Sequence, residues 1–237
     1  MRVAATDSRS IVAVTGLAFE ARIAAGAGVR TVAGGGDARS LAAALERELA
    51  RGASAIMSFG IAGGLHADAT PGAWLVASAV VTRAARWSVD AAWAAALVQR
   101  LPGAVHADVA GVDAIVKSSD EKRALGAATG AFAVDTESHV AAAFAADHGL
   151  RFAVFRVIAD PVSRALSDAA SVGMQRDGTV NRRAVLGSVL RAPGQIPALL
   201  RNAVDARTAV RALSRARRLL GPGLGYPDFG ELLLDVP

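Results

Sequence analysis

The sequence predicts a single α/β domain over residues 1–237, a three-layer sandwich in which helices cover both faces of a mixed, mostly parallel central sheet. Short apolar strands alternate with helical segments along most of the chain. Because the strands are nearly uninterrupted apolar runs, both faces of the sheet should be buried. With 237 residues, 53% of them hydrophobic, the chain is long enough for one such core and leaves little room for a second domain.

Runs of β-branched and apolar residues closed by turn residues predict the strands. The first, 10–14, ends at Thr15-Gly16, and the second, 55–59, ends at a glycine-rich loop, 60–64. Pro71-Gly72 precedes the third strand. The later strands are predicted at 74–81, within 105–116 as one or two strands, at 131–134, and at 152–158 before Asp160-Pro161.

Helical periodicity and capping residues predict the helices between these strands. The clearest helix spans 41–50: Asp37 or Ser40 can cap it after a loop of three glycines, 34–36, and Gly52 stops it. The predicted helices lie, in chain order, at 19–25, 41–50, 89–101, 120–128, 138–148, 180–190 and 196–220.

The positive charge is concentrated near the C-terminus. The net charge is +5, and residues 176–220 alone carry ten Arg and two Asp, so the rest of the chain is net acidic. A local basic segment of this kind indicates an anionic partner rather than general binding to nucleic acid. Aromatic residues, at 5%, also leave few side chains to stack on bases. We therefore expect no nucleic acid partner.

The helix predicted at 196–220 is amphipathic. Two stripes lie on its opposite faces, one of four arginines and one of apolar residues. This pattern predicts contact with an anionic membrane surface or an entrance for a lipid tail; the alternative is packing on the sheet with a solvated arginine face. Arg217 falls on the apolar side, so either the helix ends first or its guanidinium snorkels. The stripes are Arg207, Arg211, Arg215 and Arg218, and Leu199, Ala203, Ala206, Val210 and Leu213.

Several kinds of site are excluded by composition. The chain has no Cys, so it has no disulfide and no thiolate metal site or nucleophile, and this suits a reducing compartment. The four His lack a metal-ligand spacing, and we expect no metal or other cofactor. Residues 1–10 lack the apolar run of a signal peptide, and no apolar stretch is long enough to span a membrane. These observations predict a cytoplasmic protein.

Acidic residues and glycines follow four of the predicted strands, where ligands bind in parallel sheets. Glu20 follows the first strand, the 60–64 loop the second, Asp135-Thr136-Glu137 a later one and Asp160 the last. Acidic residues at helix starts are often only caps. A carboxyl group at a strand end can instead act as a general acid if a pocket of low polarity raises its pKa.

Taken together, four motifs resemble those of the purine nucleoside phosphorylase and methylthioadenosine nucleosidase superfamily, in order and spacing, over roughly residues 10–165. The resemblance implies a nucleoside phosphorylase-like fold and an enzyme that cleaves N-glycosidic bonds. The motifs are Val14-Thr15-Gly16-Leu17-Ala18-Phe19-Glu20, Ser58-Phe59-Gly60-Ile61-Ala62-Gly63-Gly64-Leu65, Val134-Asp135-Thr136-Glu137-Ser138 and Arg156-Val157-Ile158-Ala159-Asp160.

The same resemblance implies roles for individual residues. The counterpart of Glu20 orients water in the hydrolases, that of Glu137 binds the ribose 2′ and 3′ hydroxyls, and that of Asp160 protonates the purine at N7. These roles suit a reaction that passes through an oxocarbenium-like sugar, because an acid must neutralise the departing base. The further binding positions that it implies are Ile115, Val116, Asp135, Thr136, Gly60, Ile61, Ala62 and Gly63.

Within the superfamily the sequence most resembles the hopanoid-associated phosphorylase branch, on the strength of 14–22, Asp160-Pro161 and 191–197. This implies a nucleoside substrate with a lipid tail, adenosylhopane, an adenine product and a homo-oligomer. One alternative is a nucleosidase or phosphorylase for ordinary purine nucleosides such as methylthioadenosine or S-adenosylhomocysteine. Another is a membrane-associated sensor that binds nucleosides without catalysis. Retention of all three carboxylates argues against the sensor.

The nucleophile can be water or phosphate. Ser58 and Ile61 stand where the family has its phosphate-binding Arg and Ser, and Thr136 stands where relatives often have Met. A carboxylate at Glu20 repels phosphate but can orient water, which favours hydrolysis. Arg22, two residues away, is the side chain that could supply the missing positive charge for phosphate.

Overall fold

A computed structural model describes residues 10–166 and 196–227. Eight strands form one sheet with helices on both sides, which confirms the predicted α/β fold. In chain order the elements are β1 (Ser10–Thr15), α1 (Ala18–Ala24), β2 (Val29–Ala33), α2 (Ala38–Ala50), β3 (Ala53–Gly64), β4 (Trp74–Val81), β5 (Arg86–Ser88), α3 (Ala91–Arg100), β6 (Val105–Gly111), α4 (Ser119–Thr129), β7 (Ala133–Asp135), α5 (Ser138–Asp147), β8 (Arg151–Asp160) and α6 (Ile196–Leu220).

The sheet is mixed and mostly parallel, as predicted. β1 lies parallel between β2 and β3; the β3·β8, β4·β6 and β6·β7 pairs are also parallel. The β3·β7, β4·β5 and β4·β8 pairs are antiparallel. Because β3, β8, β4, β6 and β7 pair in a closed circuit, the ends of β3, β6, β7 and β8 come together beside the end of β1. The candidate site lies at this junction.

Alternating side chains of the strands separate two cores. On β1, Ile11 faces the layer of α1, α3 and α6, where Trp93 and Leu213 are buried. Val12, the next residue, faces the layer of α2 and α5, where Leu45 is buried. A strand directs successive side chains to opposite faces, so one apolar run can supply both cores. The predicted three-layer arrangement is confirmed.

Helix starts follow the capping residues in the sequence. Asp37, rather than Ser40, caps α2 by accepting a hydrogen bond from the Ser40 N–H at 3.1 Å. Ser118 and Glu121 form a reciprocal capping box at the start of α4. These side chains satisfy backbone donors that the first turn of a helix leaves unpaired.

Three strand predictions were wrong. The run 60–64 was predicted to be a loop, but it continues β3, because Gly60, Ile61 and Ala62 pair with β8. The strand predicted within 105–116 ends at Gly111, and a connection leads from there to α4. The two edge strands β2 and β5 were not predicted at all; β5 has only three residues. The continuation of β3 is decided by its pairing with β8, about 95 residues further along the chain, whereas β5 pairs with the strand directly before it.

The amphipathic face of α6 is rotated from its predicted position. Ala203, which was placed on the apolar stripe, is exposed, whereas the four arginines of the predicted stripe are exposed as expected. Over 199–220, the part of α6 whose side chains the structure describes, the buried residues are Asn202, Asp205, Ala209, Leu213, Ala216 and Leu220.

The alternative in which the helix ends before Arg217 was wrong, because α6 continues past it to Leu220. Arg217 is half-buried, and its Nη2 lies at the surface, where it donates to the Ala25 and Pro222 carbonyls. Its Nε donates to the Ala24 carbonyl at 3.0 Å, which ties the end of α6 to the end of α1. The helix predicted at 180–190 lies outside the described residues. Of the helices in the described ranges, none has the length and apolar character needed to cross a membrane.

Candidate active site

A cavity of about 320 Å³ opens where the ends of β1, β3, β7 and β8 meet, and α6 closes one side of it. This volume falls in the range of small-molecule sites. Ten of the residues expected from the sequence line it: Glu20, Ile61, Ala62, Gly63, Ile115, Val116, Asp135, Thr136, Glu137 and Asp160.

Glu20 is held by backbone N–H groups from two strand ends. Its Oε2 accepts from Gly16 at 2.9 Å and from Leu17 at 2.7 Å, and its Oε1 accepts from Ile61 at 2.7 Å. The residue therefore caps α1 and lines the cavity at once. Burial raises the pKa of Glu20 to about 7, although Arg156 and the Ile61 N–H oppose the rise. A carboxyl group that titrates near neutrality can serve as a general base.

Gly60 provides the space in which Glu20 and Arg156 approach each other. A Cβ at this position would lie 2.5 Å from Glu20 Oε1 and 2.8 Å from Arg156 Nη1. Both distances are shorter than van der Waals contact. Gly60 is not among the residues that line the cavity, so what it contributes in this structure is room for the two charged side chains.

Glu137 occupies the cavity wall between β7 and α5. Its Oε1 accepts from the Thr136 hydroxyl at 2.6 Å, and Arg156 Nη2 lies 3.8 Å from its Oε2. Gly16 gives it room, since a Cβ there would be 3.1 Å from both carboxylate oxygens. Burial raises the pKa of Glu137, against the opposing charge of Arg156.

Asp135 lines the cavity, but its carboxylate is engaged by the protein. Its Oδ1 accepts from the backbone N–H groups of Glu137 at 3.0 Å and Ser138 at 2.7 Å. Its Oδ2 accepts from the Ser138 hydroxyl at 2.5 Å and lies 2.8 Å from Arg156 Nε. Asp135 thus fixes the turn that presents Glu137.

Arg156 is a fully buried cation at the centre of these carboxylates. Besides its ion pairs with Asp135 and Glu137, its Nη2 donates to Ser58 Oγ at 2.6 Å. A buried charge is tolerated only when it is paired and hydrogen-bonded. Arg156 therefore neutralises part of the negative charge that Glu20, Asp135 and Glu137 bring together.

Asp160 ends β8 beside Gly63, whose Cβ, if present, would lie 3.5 Å from Asp160 Oδ2. Lys122 of α4 donates to the same oxygen in an ion pair. Burial raises the pKa of Asp160, whereas Lys122 lowers it. A carboxyl group with a raised pKa can hold a proton for donation.

The two residues expected to contact phosphate do not line the cavity. Arg22 is exposed on α1. Ser58 is fully buried behind the cavity, where its hydroxyl lies 2.9 Å from the Ser138 hydroxyl and accepts from Arg156. The guanidinium that the structure brings to the site is Arg156 rather than Arg22.

Apart from its carboxylates, the cavity wall is mainly apolar. Val112, Ile115 and Val116, from the connection between β6 and α4, line the cavity, and Leu166 lies beyond β8. From α6 come Leu199, Asn202, Ala203 and Ala206. Within residues 10–166 and 196–227, no group of three or more acidic or His residues is arranged to hold a metal ion.

A family model described as "Phosphorylase superfamily" matches residues 8–191. The chain belongs to the phosphorylase superfamily. Membership is consistent with the enzyme class expected from the sequence, one that cleaves N-glycosidic bonds. A sequence search of curated proteins finds no match.

Solved structures share the fold of this phosphorylase-superfamily member. The S-adenosylhomocysteine nucleosidase of Streptococcus pyogenes, in complex with 5-methylthiotubericidin, is 15% identical with a TM-score of 0.60, covering 91% of this chain and 98% of that chain. The 5′-methylthioadenosine/S-adenosylhomocysteine nucleosidase of S. pneumoniae is 14% identical with a TM-score of 0.59, covering 89% of this chain and 99% of that chain. The futalosine hydrolase of Helicobacter pylori is 15% identical with a TM-score of 0.59, covering 89% of this chain and 97% of that chain. At such identities the likeness shows the fold alone.

Sequence reasoning missed two charged residues of this phosphorylase-superfamily site. The sequence pattern gives Arg156 no role beyond its place in the fourth motif, and it gives Lys122 none beyond its place in the helix predicted at 120–128. A charge inside a run that is otherwise buried was the available signal for Arg156, because such a charge requires a partner. Lys122 gave no comparable signal, because it stands between two other charged residues, Glu121 and Arg123, which are both exposed.

Proposed function

We propose that the protein is a purine nucleosidase that breaks the N-glycosidic bond of a nucleoside carrying an apolar 5′ group. The observation that carries this proposal is the convergence of Glu20, Glu137 and Asp160 on one cavity that is otherwise mainly apolar. Two of these carboxyl groups come from different strand ends, and the third comes from the first turn of α1. Such convergence is unusual unless the cavity binds a polar ligand.

The three carboxyl groups can divide the steps of the reaction. Asp160 donates a proton to the purine as the C–N bond breaks and its electron pair moves to the base. Glu137 accepts hydrogen bonds from the ribose hydroxyls, which fixes the sugar. Glu20 orients water and takes its proton as the water attacks the oxocarbenium-like carbon.

The geometry favours water over phosphate as the nucleophile. Glu20 contacts Ile61, and Asp160 lies beside Gly63, two residues further along β3. Because a strand advances about 3.3 Å per residue, these anchor points are about 7 Å apart. Base and acid therefore reach the cavity from separate points along β3, as a reaction with a water molecule between them requires. The Arg156 guanidinium is already surrounded by carboxylates, which disfavours the binding of a further anion there.

The apolar part of the cavity supports an apolar 5′ substituent. Leu166, Leu199, Ala203 and Ala206 line it, and the adjoining face of α6 exposes more apolar surface at Leu200 and Val204, each 62% exposed. A large lipid tail could leave the cavity along this face. This supports adenosylhopane as the substrate and a role in hopanoid biosynthesis; smaller groups, as in methylthioadenosine, remain the alternative.

We further propose that the protein acts in the cytoplasm as a homo-oligomer and that α6 touches the inner membrane surface. The exposed arginine stripe of α6 supports the membrane contact, because clustered arginines attract anionic lipids. Co-sedimentation with anionic vesicles at low salt tests this contact, and light scattering tests the oligomer. Failure to bind such vesicles contradicts the membrane contact without affecting the proposed chemistry.

Adenine release tests the activity directly. The protein is mixed with adenosylhopane, methylthioadenosine or adenosine in phosphate-free buffer, and adenine and the sugar product are quantified. We expect adenine and a free ribose product, with the apolar 5′ substituent giving the highest kcat/KM. Adenine release that requires added phosphate, with the sugar 1-phosphate as the other product, would contradict hydrolysis. If none of the three nucleosides releases adenine, with or without added phosphate, the proposed function is contradicted.

A further inference from the structure

The buried Lys122 ammonium is the strongest charged feature that the proposed mechanism leaves unused. The chain has two lysines, Lys117 and Lys122, and only Lys122 is fully buried. Its Nζ donates to Asp160 Oδ2, to the Pro161 carbonyl at 3.2 Å and to the Arg164 carbonyl at 2.9 Å. These three acceptors use all three ammonium protons.

Burial of the Lys122 ammonium carries a free-energy penalty that its contacts must offset. Asp120, Glu121 and Arg123, its neighbours on the helix, are exposed and bond with one another or with the helix start. Lys122 instead points inward, on the side where Leu125 packs against a small apolar cluster. Removing an ammonium from water carries a large desolvation penalty, which well-placed hydrogen bonds must offset. Here those bonds all lead to Asp160 or to the chain just after it.

We propose that Lys122 is a positioning residue for Asp160: it fixes the orientation of the carboxyl group and stabilises the carboxylate that remains after proton donation. The inference rests on the proposed function, in which Asp160 is the acid. Lys122 occupies Oδ2, whereas Oδ1 accepts no hydrogen bond from any residue in the described ranges. Its bonds to Pro161 and Arg164 also hold the backbone that follows Asp160.

Lys122 is expected to lower the barrier because negative charge develops on Asp160 during the reaction. Before the step, Asp160 carries the proton; afterwards the purine carries it, and Asp160 is an anion next to the Lys122 cation. The interaction therefore strengthens towards the transition state, which lowers the barrier. Lys122 remains an ammonium throughout, and Asp160 regains a proton from solvent after the base leaves.

The charged groups around Asp160 determine the sign of a pH effect. Lys122 of α4 lowers the pKa of Asp160, and Asp205 of α6 raises it, while burial raises it most. Asp205 is itself paired with Arg164. Activity is lost at high pH as Asp160 loses its proton. Removing the Lys122 charge raises the pKa of Asp160 further, so this loss should move to higher pH.

Lys122→Gln tests the proposal, with Lys117→Gln as the matched control because Lys117 is exposed. Adenine release is measured across pH 5 to 10. We expect kcat of Lys122→Gln to fall on the order of 10- to 100-fold, as for a misplaced reacting group, with KM little changed and the high-pH limb shifted upward. Lys117→Gln should match wild type. A purely structural role would lower Tm and leave the limb in place, and that result overturns the proposal.

Lys122→Arg decides the question if Lys122→Gln does not fold. It keeps the charge but changes the donor geometry, so the high-pH limb should stay in place while kcat falls. An unchanged kcat or a shifted limb overturns the proposal. Asp160→Asn separates this inference from the proposed function. If Asp160→Asn is fully active, the acid assignment fails; if it is impaired while folded Lys122→Gln equals wild type, only the role of Lys122 fails.

Discussion

The two ends of the cavity hold their carboxyl groups in different ways. At the nucleophile end, defined by Glu20 and Glu137, backbone N–H groups hold Glu20 in place. Gly16, Leu17 and Ile61 donate to it. At the acid end, Asp160 is ion-paired with one side chain, Lys122 of α4. The first arrangement is set by the sheet itself. The second depends on how α4 packs.

The two ends of the cavity also differ in how their carboxyl groups are paired with cations. Glu20 shares the cation Arg156 with Asp135 and Glu137, and burial leaves its pKa at about 7. Asp160 has a cation of its own, which opposes the effect of burial on its pKa. The ionisation of Glu20 therefore depends on a cation that it shares with two other carboxylates. That of Asp160 depends on Lys122, which favours its carboxylate form.

The largest effect is expected at the acid end. Asp160→Asn removes the proton donor and should lower kcat by about 10² to 10⁴, as for a positioned proton transfer. It also leaves Lys122 facing an uncharged amide, so Tm should fall. Adenine release and circular dichroism measure the two effects. Asp120→Asn, whose side chain is exposed on α4, serves as the control. A folded Asp160→Asn with wild-type turnover would remove the contrast between the two ends.

Loss of the shared cation should destabilise the nucleophile end. Arg156→Met leaves Asp135 and Glu137 buried without their counter-charge, which should lower the free energy of unfolding by about 3 to 5 kcal/mol. Urea unfolding measures this change. Arg123→Met, at an exposed pair on α4, should leave the urea midpoint almost unchanged. Equal midpoints for the two variants would show that the carboxylates do not need Arg156.

Glu20→Gln should abolish the base and place an amide N–H₂ against one of the backbone donors. We expect kcat/KM to fall by about 10² to 10³. In wild type, kcat/KM should rise as pH increases through about 7, because Glu20 must be ionised to accept a proton. The variant should lack this rise, which rates between pH 5 and 9 can show. Glu46→Gln, at an exposed carboxylate, should keep it.

Two glycines on β3 give the mildest and most closely matched test. Gly60→Ala introduces a Cβ within 2.8 Å of both Glu20 and Arg156, whereas Gly63→Ala places one 3.3 Å from Val134 Cγ1 and 3.5 Å from Asp160 Oδ2. Overpacking of the first kind typically costs about 1 to 3 kcal/mol. Gly60→Ala should therefore lose more stability and activity than Gly63→Ala. The reverse order in Tm and kcat would mean that the nucleophile end is the more adaptable one.

Much of the fold and part of the site were predictable from local pattern. Glu20, Glu137 and Asp160 follow strands or begin helices, and strand ends meet at one edge of a sheet. Their arrival in one cavity also needs the pairing of β3 with β7 and β8, which brings these strand ends together. The partners of these carboxylates were not predictable. Ser58 looked like a phosphate contact, yet it is buried against Arg156 and Ser138, because that side of β3 faces inward.

By itself, the sequence determined the alternation of strands and helices, the helix starts and the positions of the three carboxyl groups, because propensity, capping and apolar periodicity act between neighbours in the chain. Tertiary structure alone decided that the glycine run continues β3, that α6 turns Asn202 and Asp205 inward, and that Lys122 reaches Asp160 from 38 residues away. These features depend on pairing and burial between distant segments, and no local window of sequence encodes which partner a buried charge will meet.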